Sequence, residues 1–136
     1  MATLTLKIVT PDKLTFSDEV DSVVIPAVDG EMGIFPMHIP LMTSIHPGEL
    51  VISQQGKRTH LAVGEGFVEV TGNSVSVLTD MAVEEAAINE AKVQEALDRA
   101  QTRLKEGALE GEELATVESA IMRSFAQLKV KRRTHS

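Results

Sequence analysis

Any chemistry in this chain must come from a short inventory: His38, His46, His60 and His135 are its histidines, and it has no cysteine. Without a thiol there is no disulfide framework, no thiol nucleophile and no cysteine metal site. No two histidines are spaced to share one helix face, the arrangement a helical zinc site needs. Glu31 and His38, with His60 further along, are the best candidates for an acid–base or metal site, but neither a third ligand nor an orienting acid stands beside the pair. A surface carboxylate and a loop imidazole account for them more simply. There is no Gly-x-Ser-x-Gly elbow, phosphate loop or dinucleotide fingerprint. Gly64-Glu65-Gly66 has the look of a nucleotide loop, yet no helical pattern follows it, so it reads as a hairpin turn. The expectation is a protein without catalytic residues, metal ligands or a cofactor of its own.

The element that must position Glu31 and His38 is Gly30-Glu31-Met32-Gly33-Ile34-Phe35-Pro36-Met37-His38-Ile39-Pro40. Its glycines allow positive φ and close backbone approach, while its prolines fix φ and remove donors. The segment predicts a rigid, shaped turn presenting Glu31, Met32 and His38 at one end of a sheet. Met32, Met37 and Met42 flank it, and methionine adapts to binding surfaces as readily as it fills a core.

Around that turn the chain alternates apolar and polar residues. Leu4, Leu6 and Ile8 begin the pattern, and a turn at Thr10-Pro11-Asp12-Lys13 leads to Leu14–Phe16 and Val20–Ile25. Leu41, Thr43 and Ile45, then Leu50 and Ile52, then residues 58–63, 67–71 and 74–78 follow, with Gln55-Gly56 and Gly72-Asn73 as turn signals. Roughly nine to ten short strands over residues 1–84 predict an antiparallel β-sandwich or flattened barrel. Its core must be aliphatic, because aromatic residues make up 3% of the chain and Trp and Tyr are absent. Beyond Asp80 helix formers take over. Val93, Leu97, Ala100 and Leu104 form one stripe, Gly107 suits a C-terminal cap, and Leu114, Val117, Ile121, Phe125 and Leu128 form a second stripe. The short link predicts an antiparallel two-helix hairpin over residues 85–136, so the class is α+β. Narrow, alanine-rich stripes predict weak docking of that hairpin on the sandwich or on another surface.

The net charge of −7 argues against general nucleic-acid binding. The N-terminus has neither a basic n-region nor an apolar h-region, and no apolar run approaches the ~20 residues that span a bilayer. Charge is unevenly spread: Arg123, Lys129, Lys131, Arg132 and Arg133 lie in a C-terminal segment with no acid, on an otherwise acidic chain. A solvated end, anionic lipid or an acidic protein surface would each account for it.

Taken together, Thr10-Pro11-Asp12 after an opening strand, the Gly30 to Leu41 segment, Gly64-Glu65-Gly66-Phe67, the Val77-Leu78 strand and a terminal hairpin resemble the epsilon-subunit family of F-type rotary ATP synthases of bacterial and chloroplast type. The likeness is collinear over essentially the whole chain. It implies a central-stalk subunit of a proton- or sodium-translocating synthase, peripheral on the cytoplasmic or stromal face of an energy-transducing membrane, the plasma membrane if bacterial. It implies contact with the gamma subunit and the polar loops of the c-ring through Gly30, Glu31, Met32, Gly33, His38, Met42 and Thr43. It also implies a mobile hairpin that restrains ATP hydrolysis by extending to the catalytic beta and alpha subunits, where Arg123, Lys129, Lys131, Arg132 and Arg133 meet an acidic segment. Some relatives bind ATP through an Ile/Leu-Asp-x-x-Arg-Ala motif. Here Ile88, Asn89, Lys92 and Val93 occupy the corresponding stretch, with Arg123 as a later match and Gln127 where another arginine is expected, so ATP binding is disfavoured. Leu97-Asp98-Arg99-Ala100 matches only in contracted spacing. The competing expectation is an unrelated protein-binding sandwich whose helices are a fixed cap.

Overall fold

Alternation along Leu4–Val9, Gly66–Thr71 and Ser74–Thr79 settles which side chains go inward, whereas Gly48–Gln54 and Lys57–Val63 hold consecutive buried residues. The computed structural model describes the result for residues 2–133. The strands are β1 (Leu4–Val9), β2 (Leu14–Val20), β3 (Ser22–Ala27), β4 (Gly30–Ile34), β5 (Leu41–Ile45), β6 (Gly48–Gln54), β7 (Lys57–Val63), β8 (Gly66–Thr71), β9 (Ser74–Thr79) and β10 (Ala82–Glu84). A 3₁₀ turn at Glu85–Ala87 leads to helices α1 (Glu90–Glu106) and α2 (Gly111–Arg133). The strands follow one path, β10-β7-β6-β3-β5-β8-β9-β1-β2, with β4 paired to β3. The path folds over into a flattened, nearly closed barrel. Gln54 of β6 helps close it by donating from Nε2 to Asp18 Oδ2 (2.9 Å) and to the Glu19 carbonyl (2.7 Å) of β2.

The α+β architecture matches the sequence pattern, with two refinements. Among the described residues one pairing is parallel: β1 runs alongside β9, Thr5 opposite Ser74 through Val9 opposite Leu78. Turn signals mark only antiparallel neighbours joined by a loop, so a pairing between strands far apart in the chain leaves no such mark. Gly64-Glu65-Gly66 is not a hairpin turn either. β7 pairs with β6 and β10, and β8 with β5 and β9, so this tripeptide carries the chain from one half of the path to the other. A side chain at Gly66 would collide with the Leu78 carbonyl, and one at Gly64 with the Asp80 carboxylate. Close backbone approach is therefore what the glycines supply.

The sandwich core is one aliphatic cluster drawn from every strand between β1 and β9. It includes Leu4, Leu6, Ile8, Ile25, Ile34, Leu50, Ile52, Leu61, Val68 and Val77, all at most 1% exposed. Each such side chain contributes about 1.5–3 kcal/mol by leaving water. A separate cluster joins Ala62 of β7 to Ile88, Val93, Leu97, Ala126, Leu128 and Val130, with Met81, Val83 and Ile121 packed against it.

In the hairpin, Asn89 caps α1 by accepting the Lys92 N–H on its side chain (3.1 Å), and Gly107 ends the helix at φ 74°. The α1 stripe holds for Val93, Leu97 and Ala100, while Leu104 is exposed. The α2 stripe differs further. Val117 and Leu128 are buried as expected, but Phe125 is exposed, and Ala126 and Val130 are buried nearly half a turn away from Leu128. α2 packs against α1 and also against β6 and β7, so it needs two apolar faces. A search for one stripe cannot find a helix sandwiched between two partners.

Candidate functional site

The segment singled out by its glycines and prolines is a strand followed by a loop. Residues 30–34 form β4, pairing Gly30 with Ala27 and Ile34 with Val23, and the loop proper runs from Phe35 to Pro40. Gly30, Glu31 and Gly33 are exposed, whereas Met32 is half-buried against the sandwich core. The tip is more apolar than expected: Phe35, Met37 and Ile39 are 60%, 81% and 79% exposed, and Met42 beyond it 66%. His38 is half-buried, its Nδ1 donating to the neighbouring Ile39 carbonyl at 2.7 Å. Thr43 is half-buried on the side of β5 that carries Leu41 and Ile45 toward the core, opposite Val68.

A feature absent from the sequence reading lies at the other end of the same strands, away from the β8–β9 turn beside which this loop sits. On the outer face of the second half of the path, Ser44, Phe67, Leu78, Val9 and Leu14 sit directly opposite one another across β5, β8, β9, β1 and β2. Phe67, Leu78 and Leu14 are 58%, 51% and 55% exposed. They form an apolar band across four strands, flanked by a groove of about 370 Å³ lined by Val9, Pro11, Phe67 and Leu78 and another of about 410 Å³ lined by Val28, His46 and Phe67. Individually, Val9 and Leu14 looked like ordinary strand residues; only the parallel β1–β9 pairing puts them in one row with Phe67.

The hairpin covers the other half of the path, and Arg123, Lys131 and Arg132 of α2 are engaged in this docked state. Arg123 lies 3.6 Å from Asp80 and donates to Ser119 (2.9 Å). Lys131 lies 3.4 Å from the Glu85 carboxylate and 3.3 Å from its carbonyl. Arg132 bonds Glu90 (3.1 Å) and Gln94 (2.9 Å) of α1. Lys129 is exposed, and the Arg133 side chain lies outside the described residues, as does His135. Asp80 is the same residue that crowds Gly64, so the crossover and the hairpin meet at one carboxylate.

The remaining candidates are placed as follows in this state. His60 Nδ1 is 3.1 Å from the buried Glu49 carboxylate, across β6 and β7. Among the described residues no three His, Asp or Glu side chains converge as a metal site. Ile88 is buried, Asn89 is the α1 cap, Lys92 is exposed and Arg123 is held by Asp80. Gln127 donates to the Met81 sulfur (3.4 Å), and Arg99 pairs with Glu95 (3.2 Å). Among the described residues no helix is long and apolar enough to cross a membrane.

These features coincide with a known family. Residues 3–85 match the family described as "ATP synthase, Delta/Epsilon chain, beta-sandwich domain". The ATP synthase epsilon chain of Dehalococcoides mccartyi is 41% identical over 99% of this chain and 98% of its own length. That of Nitratidesulfovibrio vulgaris is 38% identical over 94% and 95%. In three dimensions the chain is similar to one in the mitochondrial ATP synthase of Euglena gracilis, from a structure of OSCP, F1 and c-ring (TM-score 0.76, 24% identity, 95% of this chain and 81% of that one). It is also similar to one from the central stalk and c-ring of the Tetrahymena thermophila enzyme (TM-score 0.59, 14% identity, 98% and 96%). Identity near 40% sustained from end to end leaves one assignment: the chain belongs to the ATP synthase epsilon-chain family.

Proposed function

We propose that this chain is a non-catalytic central-stalk subunit of a proton- or sodium-translocating ATP synthase, working through two parts. Residues 1–84 anchor it to the gamma subunit and the polar loops of the c-ring. Residues 85–136 restrain ATP hydrolysis by leaving the sandwich and reaching the catalytic beta and alpha subunits. The chain sits peripherally on the cytoplasmic or stromal face, held to the membrane through the complex. The observation that carries the anchoring reading is the band of Phe67, Leu78, Val9 and Leu14 on surface the hairpin leaves uncovered. The exposed 35–42 tip is a second uncovered apolar feature, at the other end of the same strands. Gamma takes the band in this reading, and Gly30, Glu31 and the adjoining loop face the c-ring.

The cations support the restraining role in a specific way. Arg123, Lys131 and Arg132 already hold acids while the hairpin is docked, so an acidic segment of the catalytic head competes with Asp80, Glu85 and Glu90 for the same groups. Such exposed or half-exposed pairs contribute about 0–1 kcal/mol each, little enough for exchange between two sets of partners. Burial of α2 on two sides favours a second reading, in which the hairpin is a permanent cap.

Titrating a synthase head lacking this subunit with the full chain, or with a chain ending at Glu84, separates these readings. Inhibition of ATP hydrolysis by the full chain alone, with both chains binding, is the expected outcome. Binding of both without inhibition would leave anchoring and remove the brake, and failure of both to bind would remove the anchoring as well.

A further inference from the structure

The 35–40 loop keeps its shape while leaving its large apolar side chains exposed. It leaves the core at Ile34, fully buried, and returns at Leu41, half-buried against the same cluster. Between them Phe35, Met37 and Ile39 stand in solvent. Pro36 and Pro40 restrict φ, but at the apex Met37 adopts φ 65°, a left-handed conformation that side-chain-bearing residues rarely hold without support. That support comes from a distant turn. Asn73, in the tight β8–β9 connection, accepts the Met37 N–H on its side-chain Oδ1 at 2.7 Å. Asn73 is itself tied down, because its own carbonyl accepts the Thr5 N–H of β1 at 2.7 Å. The chain is therefore clipped from the β8–β9 turn to the apex of the apolar tip.

We propose that Asn73 is a positioning residue for docking: it fixes Met37 in its left-handed conformation so that Phe35, Met37 and Ile39 meet the partner subunit as one preformed apolar tip. The partner is the c-ring surface that this loop faces in the central-stalk reading above, on which the docking half of the proposal rests. A tip ordered beforehand binds without the entropic cost of ordering three exposed side chains and their backbone at the moment of contact. Released from Asn73, Met37 relaxes to negative φ and the side chains beyond it swing out of register.

The variants are chosen to spare the turn. Gly72 has φ 58° and the turn residues are Gly-Asn, a connection that Gly-Ser suits equally well. Asn73→Ser therefore keeps the turn while its hydroxyl falls one bond short of the Asn73 amide oxygen. Asn73→Asp restores the acceptor. In the full-length chain, amide exchange at Met37 is expected to accelerate about tenfold or more in Asn73→Ser and to return to the parent rate in Asn73→Asp. Affinity for the synthase complex depleted of this subunit is expected to fall about fivefold in Asn73→Ser, the loss of one ordering hydrogen bond, with Asn73→Asp rescuing it. Unchanged Met37 exchange in Asn73→Ser would overturn the clip. Faster exchange with unchanged affinity would overturn its role in docking. A parent chain that does not bind the depleted complex at all would overturn the central-stalk reading, a failure that the partner-free exchange measurement distinguishes from failure of the clip.

Discussion

The sandwich and the hairpin are stabilised in different ways within one chain. In the sandwich, residues from nine strands fill one aliphatic cluster, most of them wholly out of water. The hairpin meets it through Ala62, Met81 and Val83, against a small set of helix residues, and adds ion pairs whose members are partly exposed. Apolar burial scales with area and is not subject to charge screening, whereas half-exposed charge pairs are weak and screened. The contrast teaches that a single short chain can join a large aliphatic core to an element that shares little of it.

The largest effect that tests this contrast is in the sandwich. Leu50→Ala removes a fully buried side chain and is expected to cost about 2–5 kcal/mol of global stability, read by denaturant unfolding. Leu128→Ala removes a comparable side chain from the other cluster. It is expected to accelerate amide exchange in α1 and α2 while leaving β1–β9 amides at parent rates. Equal acceleration in both regions would show one cooperative unit and break the comparison.

On the band, Phe67→Ser combined with Leu78→Ser deletes exposed apolar surface. Affinity for the depleted synthase complex is expected to drop about thirtyfold or more with the unfolding midpoint unchanged, as for a buried interface anchor. Loss of folding instead of binding would mean that the band serves the sandwich itself. Replacing Arg123, Lys131 and Arg132 together with Gln removes up to about 1 kcal/mol per pair, so hairpin exchange rises several-fold at low salt. In 1 M salt parent and variant converge; a difference that persists would remove charge pairing as the clasp.

The smallest effect lies at the barrel seam. Gln54 Nε2 and then the Glu19 N–H donate to Asp18 and hold its carboxyl below the ordinary carboxylate value. A carboxyl lowered in the folded state adds stability above its unfolded pKa of about 3.9 and loses it as pH falls through the lower folded value. Acid titration should therefore show Asp18→Asn converging with the parent only at the acid end, without moving hairpin exchange. A matching change in the hairpin would tie the seam to the clasp.

Much of this was legible in the sequence. Period-two alternation placed most of the strands though not β4 or β10, the change of composition after Asp80 placed the helices, Gly107 marked the end of α1, and the glycine- and proline-rich segment with Gly64-Glu65-Gly66-Phe67 carried the family. Those features are local: a side chain's direction follows from its position in a strand or helix, and a cap or tight turn from a few adjacent residues. Which strands become neighbours is not local. The parallel β1–β9 pairing assembled Val9 and Leu14 into a band with Phe67 and Leu78, and placed Asn73 beside Thr5. Packing of α2 between α1 and the sheet buried Ala126 and Val130 on a second face and brought Arg123 and Lys131 to Asp80 and Glu85. Periodicity states which way a residue points; only the closed tertiary arrangement, set by how one shared core can be filled, decides what it meets there.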